Sequence, residues 1–370
     1  MAGVVVNTLT ALHPGATIGI LGGGQLGRML AIAAARLGYR TIIYDPDANC
    51  PAAQLANEHI AATWDDGSAL DAFAARCDVV TYEFENVPVA TAERIAALVP
   101  VRPGVKALAI AQDRLGEKNF IRDRGIATAP FLPVDDEASL DAALADPMAS
   151  GGAILKTRRL GYDGKGQIRL KPGDDISAAW AQMAGAACIL EGFVDFEHEI
   201  SVVATRGLAG EFRAFDPAHN VHRDGILRTS TVPAPVSDAI VSEAGRIARA
   251  IMDGLDYCGT MGVECFVLRN GDVLVNEIAP RVHNSGHWTE AACLISQFEQ
   301  HIRAVAGLPL GDPVRHSNCV MENLIGEDVD KVPALLEDGD CLVHLYGKAE
   351  TRPGRKMGHV TRLSPRAEIG

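Results

Sequence analysis

Residues 17–21 are a short apolar run that passes directly into Gly22-Gly23-Gly24-Gln25-Leu26-Gly27, and residues 28–37 then have the composition of a helix. Strand, glycine turn, helix and a second apolar strand at residues 40–44 commit the start of the chain to an α/β layout, with the helix crossing over between strands of an open parallel sheet. Backbone N–H groups at such a helix start can hold an anion. Asp45, at the end of the second strand, stands close to where a dinucleotide-binding protein places its ribose-binding acid. Taken alone this points to an NAD-dependent oxidoreductase, although many α/β proteins use the same turn only for packing. The alternation continues through residues 78–86, where Glu83, Glu85 and Asn86 gather at a strand's C-terminal end, the end at which parallel sheets bind ligands.

A second unit opens near residue 113, after a helix expected over residues 105–111. A charged helix follows, with Gly125 ending it in the left-handed conformation and Pro130 marking the chain's departure. Residues 153–156 read as a strand whose last residue is Lys156. It leads into a segment with Gly161, Gly164 and Gly166 close together and cations on both sides. That composition describes a mobile flap whose N–H groups can close over polyphosphate, or else a plain flexible hairpin. It is not a Walker loop, since it lacks the G-K-[ST] ending and no helix follows. Residues 188–194 form a further apolar strand, with Glu197 and Glu199 just beyond it. Such a strand could offer backbone groups to a purine edge while a carboxylate holds ribose hydroxyls.

The third unit begins near Ile200, with strands over residues 200–205 and 211–215, a polar segment over 216–225 and a helix over 237–252. Two acidic strands come next. One carries Glu264; the other, starting at Val273, delivers Asn276 and Glu277 to its end before Pro280 stops it. Two carboxylates on neighbouring strands make a hard-cation site, because Mg2+ takes one or two protein oxygens and leaves its other positions to water and phosphate. Ordinary solvated charges on a hairpin are the bland alternative, and the polar cluster that follows at once, Arg281, His283, Asn284 and His287, weighs against it. A helix is expected across residues 290–306. In the tail, Lys348, Arg355 and Lys356 on turns suit a phosphate monoester, or else form a solvated basic tail.

At 370 residues the chain is too long for one small core, and units at 1–113, 114–196 and 197–370 are expected. A formal net charge of -13 argues against gripping nucleic acid through bulk charge, without excluding a local cationic pocket. Eight cysteines with no C-x-x-C pair read as reduced thiols of a cytoplasmic protein. The first fourteen residues have no positive stretch ahead of Val4-Val5-Val6, which reads as a loose tail rather than a signal peptide, and no run approaches a membrane span.

Five segments, GGGQLGRML at Gly22, YEFENV at Tyr82, GYDGKGQ at Gly161, HNVHRDGILRTS at His219 and NEIAPRVHNSGHWT at Asn276, together resemble the N5-carboxyaminoimidazole ribonucleotide synthetases of purine biosynthesis. The resemblance spans residues 17–359; residues before Ala16 have no clear counterpart. It implies an α/β, ATP-grasp fold behind an N-terminal Rossmann-like domain. The implied activity is ATP-dependent carboxylation of 5-aminoimidazole ribonucleotide (AIR) by bicarbonate, through carboxyphosphate, with release of ADP and phosphate. ATP and Mg2+ are implied as cofactors, a homodimer as the assembly, and a carboxyaminoimidazole ribonucleotide mutase as recipient of the product.

Position by position, the resemblance implies that Arg114 and Lys156 touch ATP. The flap, Gly161, Tyr162, Asp163, Gly164, Lys165, Gly166 and Gln167, would cover the phosphates. Glu191, Gly192, Phe193 and Val194 would read adenine, Glu199 would bind ribose and His222 would line the pocket. Glu264 and Glu277 match metal-binding glutamates with Asn276 beside them, and Arg281, His283 and Asn284 match the bicarbonate and transfer site. His283 is assigned the amine proton because an unperturbed imidazole titrates near working pH. Gln25, Glu83, Lys348 and Arg355 are the candidates for holding the ribonucleotide. A different ATP-grasp ligase, such as a formate-dependent glycinamide ribonucleotide transformylase or a biotin-carboxylase-like enzyme, would share the flap and the acid pair. An oxidoreductase would leave both unexplained, and a non-catalytic nucleotide-binding subunit would have no need of the Arg281 cluster.

Overall fold

Short apolar runs separated by helices build three sheets in the computed structural model, which describes residues 10–161 and 166–366. The flap positions Tyr162, Asp163, Gly164 and Lys165 lie outside the described residues. In the first sheet β1 (Thr17–Leu21), β2 (Arg40–Tyr44), β3 (Glu58–Ile60) and β4 (Val79–Tyr82) run parallel in the order β3-β2-β1-β4. Ile18, Ile20 and Leu21 are fully buried, as expected of a parallel strand covered by helices on both faces. The helix after β1 spans Gln25–Arg36, starting three residues earlier than its composition suggests.

The second sheet is antiparallel. Its strands are β5 (Phe131–Val134), β6 (Ala153–Thr157), β7 (Gln167–Leu170) and β8 (Cys188–Gly192), in the order β5-β8-β6-β7. Gly125 has φ +69°, the left-handed conformation read from the sequence.

The third sheet is the largest and supplies the floor of the site. It comprises β9 (His198–Arg206), β10 (Phe212–Ala214), β11 (Ala218–Arg223), β12 (Ile226–Val232), β13 (Gly259–Val267), β14 (Val273–Ala279), β15 (Ser317–Ile325), β16 (Cys341–Leu345) and β17 (Lys356–Pro365). The order is β14-β13-β9-β11-β12-β15-β17-β16, with β10 paired to β9. The polar segment at 216–225 therefore holds a strand, β11, turned into β12 by Asp224 and Gly225, both at positive φ. Its composition hid it, because an inward-facing residue, Asn220, is buried through hydrogen bonds to Ser201 and Ser230 and not by apolar contact.

The helix expected across residues 290–306 is two helices, Thr289–Ala292 and Gln297–Val305. Cys293 is extended between them, and Ser296 caps the second by accepting from Glu299 N–H. The second helix is almost wholly buried and joins the first sheet to the third. His301 meets Thr81 Oγ1 with Nε2 at 2.8 Å and accepts from Thr260 N–H with Nδ1 at 3.1 Å. All eight cysteines are free thiols, six of them buried. Among the described residues no helix is long and apolar enough to cross a membrane.

Candidate active site

A cavity of about 700 Å³ opens where the three sheets meet, a volume in the usual range for a small-ligand pocket. The β13–β14 register sets Glu264 directly opposite Glu277 on its floor. Like charges facing each other across a ladder destabilise it, and the two carboxyls divide accordingly. Glu264 is pushed up to about 8 by burial and by the neighbouring Glu277 and Glu199. Burial works in the same direction on Glu277, but Arg114, whose Nη1 donates to Glu277 Oε2 at 2.9 Å, holds that carboxyl below its ordinary value. One extra positive centre between them would let both ionise. An all-oxygen pair of this kind fits a hard divalent cation such as Mg2+.

A cationic wall rises beside this pair from the Arg114–Arg122 helix, whose N-cap Asp113 accepts from Leu115 and Gly116 N–H. Arg114, Glu117, Lys118 and Ile121 recur at helical spacing along one stripe. Lys118 is 1% exposed; its Nζ donates to the Asn276 carbonyl at 2.9 Å and lies 3.3 Å from Glu191 Oε2. Lys156 Nζ donates to that same carboxylate oxygen at 3.0 Å. Against burial, the two ammonium groups keep Glu191 ionised below its usual range. Glu191 is thus the internal anchor of two lysines. None of residues 191–194 lines the cavity, and Gly192 and Phe193 N–H donate to the Pro130 and Gly152 carbonyls. Glu117, pushed up to about 8 by burial and Glu277, accepts from Ile278 N–H and ties the helix to β14. Sequence reasoning missed Glu117 and Lys118. The available signal was a buried-looking helical stripe in which three of four positions are ionisable.

Past Pro280 the chain forms an arm. Arg281 grips Glu85 with Nε and with Nη2, the latter at 3.0 Å, and Glu85 is held down to about 2 by Arg281 although burial opposes it. The guanidinium fork already fits a planar carboxylate. His283 is fixed by its N–H donating to Gln297 Oε1 at 2.8 Å. Its Nδ1 accepts from Ser285 N–H at 3.4 Å, so the ring proton sits on Nε2, which meets Glu264 Oε1 at 3.2 Å. Burial, with Arg281 and Lys356 nearby, pushes His283 down to about 3. The unperturbed pKa that recommended this histidine for the amine proton is therefore gone, and what remains is a neutral N–H donor to Glu264. Asn284 lines the cavity with both side-chain polar atoms buried and without a protein hydrogen bond among the described residues.

The first sheet contributes Gln25, Glu83, Glu85 and Asn86 to the opposite wall. Its glycine turn is occupied by the protein's own carboxylates. Gly23 N–H donates to Asp45 Oδ2 at 2.7 Å, Gly24 N–H to Glu83 Oε1 at 2.7 Å and Gly27 N–H to Glu83 Oε2 at 2.9 Å. A Cβ at Gly24 would lie 2.6 Å from Glu83 Oε1, and one at Gly23 2.2 Å from Cys50 Sγ. These glycines exist to let side chains approach. With Asp45 and the turn amides engaged, the dinucleotide signature loses both of its parts.

Elsewhere in the lining Glu199 meets His222 Nδ1 at 3.1 Å, which raises His222 although burial opposes it. Gly161 and Gln167 border the cavity at the two ends of the flap, and the Gly161 carbonyl accepts from Arg114 Nη2 at 3.3 Å. Gly166, at φ +71°, does not line it. Phe266 adds an apolar face, stacked on Phe196 at 4.5 Å. From the tail the lining cation is Lys356 at the start of β17. Lys348 and Arg355 do not line the cavity; Lys348 Nζ donates to the Lys356 carbonyl and Arg355 Nη1 to that of Glu350.

Comparison with known families places three domain types on the chain. Residues 15–112 match a ribonucleotide synthetase preATP-grasp domain, 119–298 an ATP-grasp domain and 319–369 a phosphoribosylaminoimidazole carboxylase C-terminal domain. The chain is 60% identical over 359 residues to the N5-carboxyaminoimidazole ribonucleotide synthase of Brucella melitensis, covering 96% of this chain and 99% of that one. Among solved structures, an N5-carboxyaminoimidazole ribonucleotide synthetase in complex with ADP superposes with a TM-score of 0.93 at 41% identity, covering 97% and 95% of the two chains. The Aspergillus clavatus N5-carboxyaminoimidazole synthase, solved with ADP and 5-aminoimidazole ribonucleotide, gives 0.88 at 31% identity over 95% and 94%.

Proposed function

The chain belongs to the N5-carboxyaminoimidazole ribonucleotide synthase family of ATP-grasp ligases, and from that premise we propose that its cavity couples ATP cleavage to the carboxylation of AIR by bicarbonate. ADP and phosphate are released, and the carboxylated ribonucleotide feeds purine synthesis. The observation that carries the reading is one cavity holding the facing pair Glu264 and Glu277, the cations Arg114 and Lys156, and the arm with Arg281, His283 and Asn284.

Glu264 and Glu277 would hold Mg2+, with Asn276 beside them; when bound, the ion supplies charge neutralisation at the transferring phosphoryl group. Lys156 and Arg114 line the cavity where they can take the nucleotide's phosphates, and the family resemblance makes residues 161–167 the candidates for covering them. Glu199 suits the ribose hydroxyls, with His222 at its side. Reading of adenine by residues 191–194 rests on the family resemblance alone, since they lie outside the cavity lining; the apolar faces that line it for a base are the stacked Phe196 and Phe266. For bicarbonate to enter the Arg281 fork it must take the place of the Glu85 carboxylate. A bicarbonate oxygen then attacks the γ-phosphorus and ADP departs, leaving carboxyphosphate. The exocyclic amine of AIR attacks the carboxyl carbon, the bond to the phosphate oxygen breaks, and the departing phosphate takes the amine proton.

In this scheme His283 is a positioning residue: its N–H to Glu264 aims a metal-binding carboxylate. Asn284, whose buried amide has no hydrogen-bond partner among the described residues, and Gln25 are polar groups available to AIR. Lys356 is the cation that reaches its phosphate, and Lys348 and Arg355 stand behind it. The glycine flap excludes water that would hydrolyse carboxyphosphate. We extend the family reading to a cytoplasmic homodimer that passes its unstable product to a mutase. Purified protein should release ADP only when bicarbonate and AIR are both present, and isotope-labelled bicarbonate should appear in the ribonucleotide. Release of ADP that depends on formate, or label that never reaches AIR, would reject the assignment in favour of another ATP-grasp ligase.

A further inference from the structure

A second cluster of ligating side chains lies outside the cavity lining. The β16–β17 register places His344 directly opposite His359, with rings 5.3 Å apart and nearly parallel. Glu290, on the short Thr289–Ala292 helix that follows the catalytic arm, brings Oε2 to 3.2 Å from His344 Nδ1 and 3.8 Å from His359 Nε2. One donor atom from each of the three lies within 4.8 Å of the others.

Hydrogen bonding does not account for this convergence. Glu290 Oε2 and His359 Nε2 are both buried without a hydrogen-bond partner among the described residues, and His359 is only 1% exposed. The shorter contact is misaligned for a hydrogen bond and the longer one is out of range. His359 Nδ1 lies 2.9 Å from the Tyr346 hydroxyl, which can accept its N–H and leave Nε2 with a lone pair aimed into the cluster. Burial and His344 push His359 down to about 3, so the ring is neutral, the form that ligates metals. His287 closes one side, its ring 4.8 Å from that of His359.

We propose that Glu290, His344 and His359 form a site for a borderline divalent transition-metal ion of the Zn2+ class, separate from the Mg2+ pair at Glu264 and Glu277. Two imidazole nitrogens and one carboxylate are a preferred Zn2+ donor set and a poor one for Mg2+. Ligands ~2.0–2.1 Å from a tetrahedral ion stand ~3.3 Å apart. Glu290 and His344 already have that spacing at 3.2 Å, and Glu290 and His359 are near it at 3.8 Å. The two histidine donors, within 4.8 Å of each other, need only side-chain rotation to close on an ion. Tyr346 supplies the outer-shell partner that fixes the His359 tautomer. The ion ties the β16–β17 hairpin to the segment after the catalytic arm. It thereby sets where Lys356, three residues before His359 on β17, enters the cavity.

The site stands independently of the ligase reading and is tested on the full-length, chelator-treated protein saturated with Mg2+ and ADP. Equilibrium dialysis against Zn2+ should show one more ion per chain in the wild type than in His344→Asn. Co2+ should give the visible bands of a low-coordinate nitrogen and oxygen site in the wild type only, and Zn2+ should raise the wild-type Tm alone. Equal Zn2+ uptake by the two proteins, or a Co2+ spectrum identical to the aquo ion, overturns the proposal. If His344→Asn loses ADP binding and so has not folded, Tyr346→Phe decides: a roughly 10- to 100-fold weaker Zn2+ affinity supports the site and an unchanged affinity removes it.

Discussion

Replacing Glu83 by Gln asks whether this carboxylate belongs to the substrate or to the fold. Its two oxygens accept from Gly24 and Gly27 N–H at 2.7 and 2.9 Å, and the residue is 7% exposed. Hydrogen bonds to a charged acceptor contribute roughly 1.5–3 kcal/mol each, a neutral one about 1 kcal/mol. Gln retains one acceptor and points an NH2 group at the other N–H, leaving a buried donor unpaired at a cost of about 1–3 kcal/mol. The turn and the first turn of the Gln25–Arg36 helix should lose about 2–4 kcal/mol of local stability in total. Hydrogen exchange resolved to residues 22–28 should therefore quicken about 30- to several-hundred-fold, since each 1.4 kcal/mol is a factor of ten. Exchange there reads the turn directly, without assuming that a chain with three sheets unfolds in one step. If exchange in 22–28 stays at the wild-type rate while the KM for AIR rises, the carboxylate is a substrate ligand and the turn-anchor reasoning is wrong.

Glu277→Gln should lower ATP turnover about a hundredfold or more with an unaltered circular dichroism spectrum; near-normal turnover would remove the metal assignment. Arg281→Ala should leave ADP affinity unchanged and abolish the dependence of ADP release on bicarbonate, so intact bicarbonate kinetics would count against the fork. Lys356→Ala should raise the KM for AIR more than Lys348→Ala or Arg355→Ala does; the reverse order would place the phosphate among the latter two. His301 predicts acid lability. It is fully buried and pushed down to about 3 by burial, so protons bind more readily to the unfolded chain. Its contribution is complete above pH of about 6.5 and is lost as pH falls toward about 3, on the order of 4–5 kcal/mol. His301→Gln should flatten the pH dependence of the urea midpoint over that window, and an unchanged slope would contradict it.

Much of this protein follows from local chemistry that a linear reading can see. β1, β2 and the Val105–Ala111 helix begin and end where apolar alternation, glycine and helix-forming residues place them. The pairing of Glu264 with Glu277, Arg281 beside His283 and Asn284, and a glycine-rich segment after Lys156 are all written within short stretches. What each side chain does there depends on partners far away in the chain. Glu85 meets Arg281 across 196 positions, Lys118 meets Asn276 across 158, and Gly24 meets Glu83 across 59. Packing alone decided that the glycine turn would hold the protein's own acids, that Glu191 would face two lysines, and that Lys356 would line the cavity. Burial, with Arg281 and Lys356 gathered nearby, took His283 far from the pKa its residue type suggests. Residue type and spacing are inherited from the backbone's short-range sterics, whereas protonation and partnership depend on the dielectric and the charges that the folded chain gathers around a group, and no local window contains those.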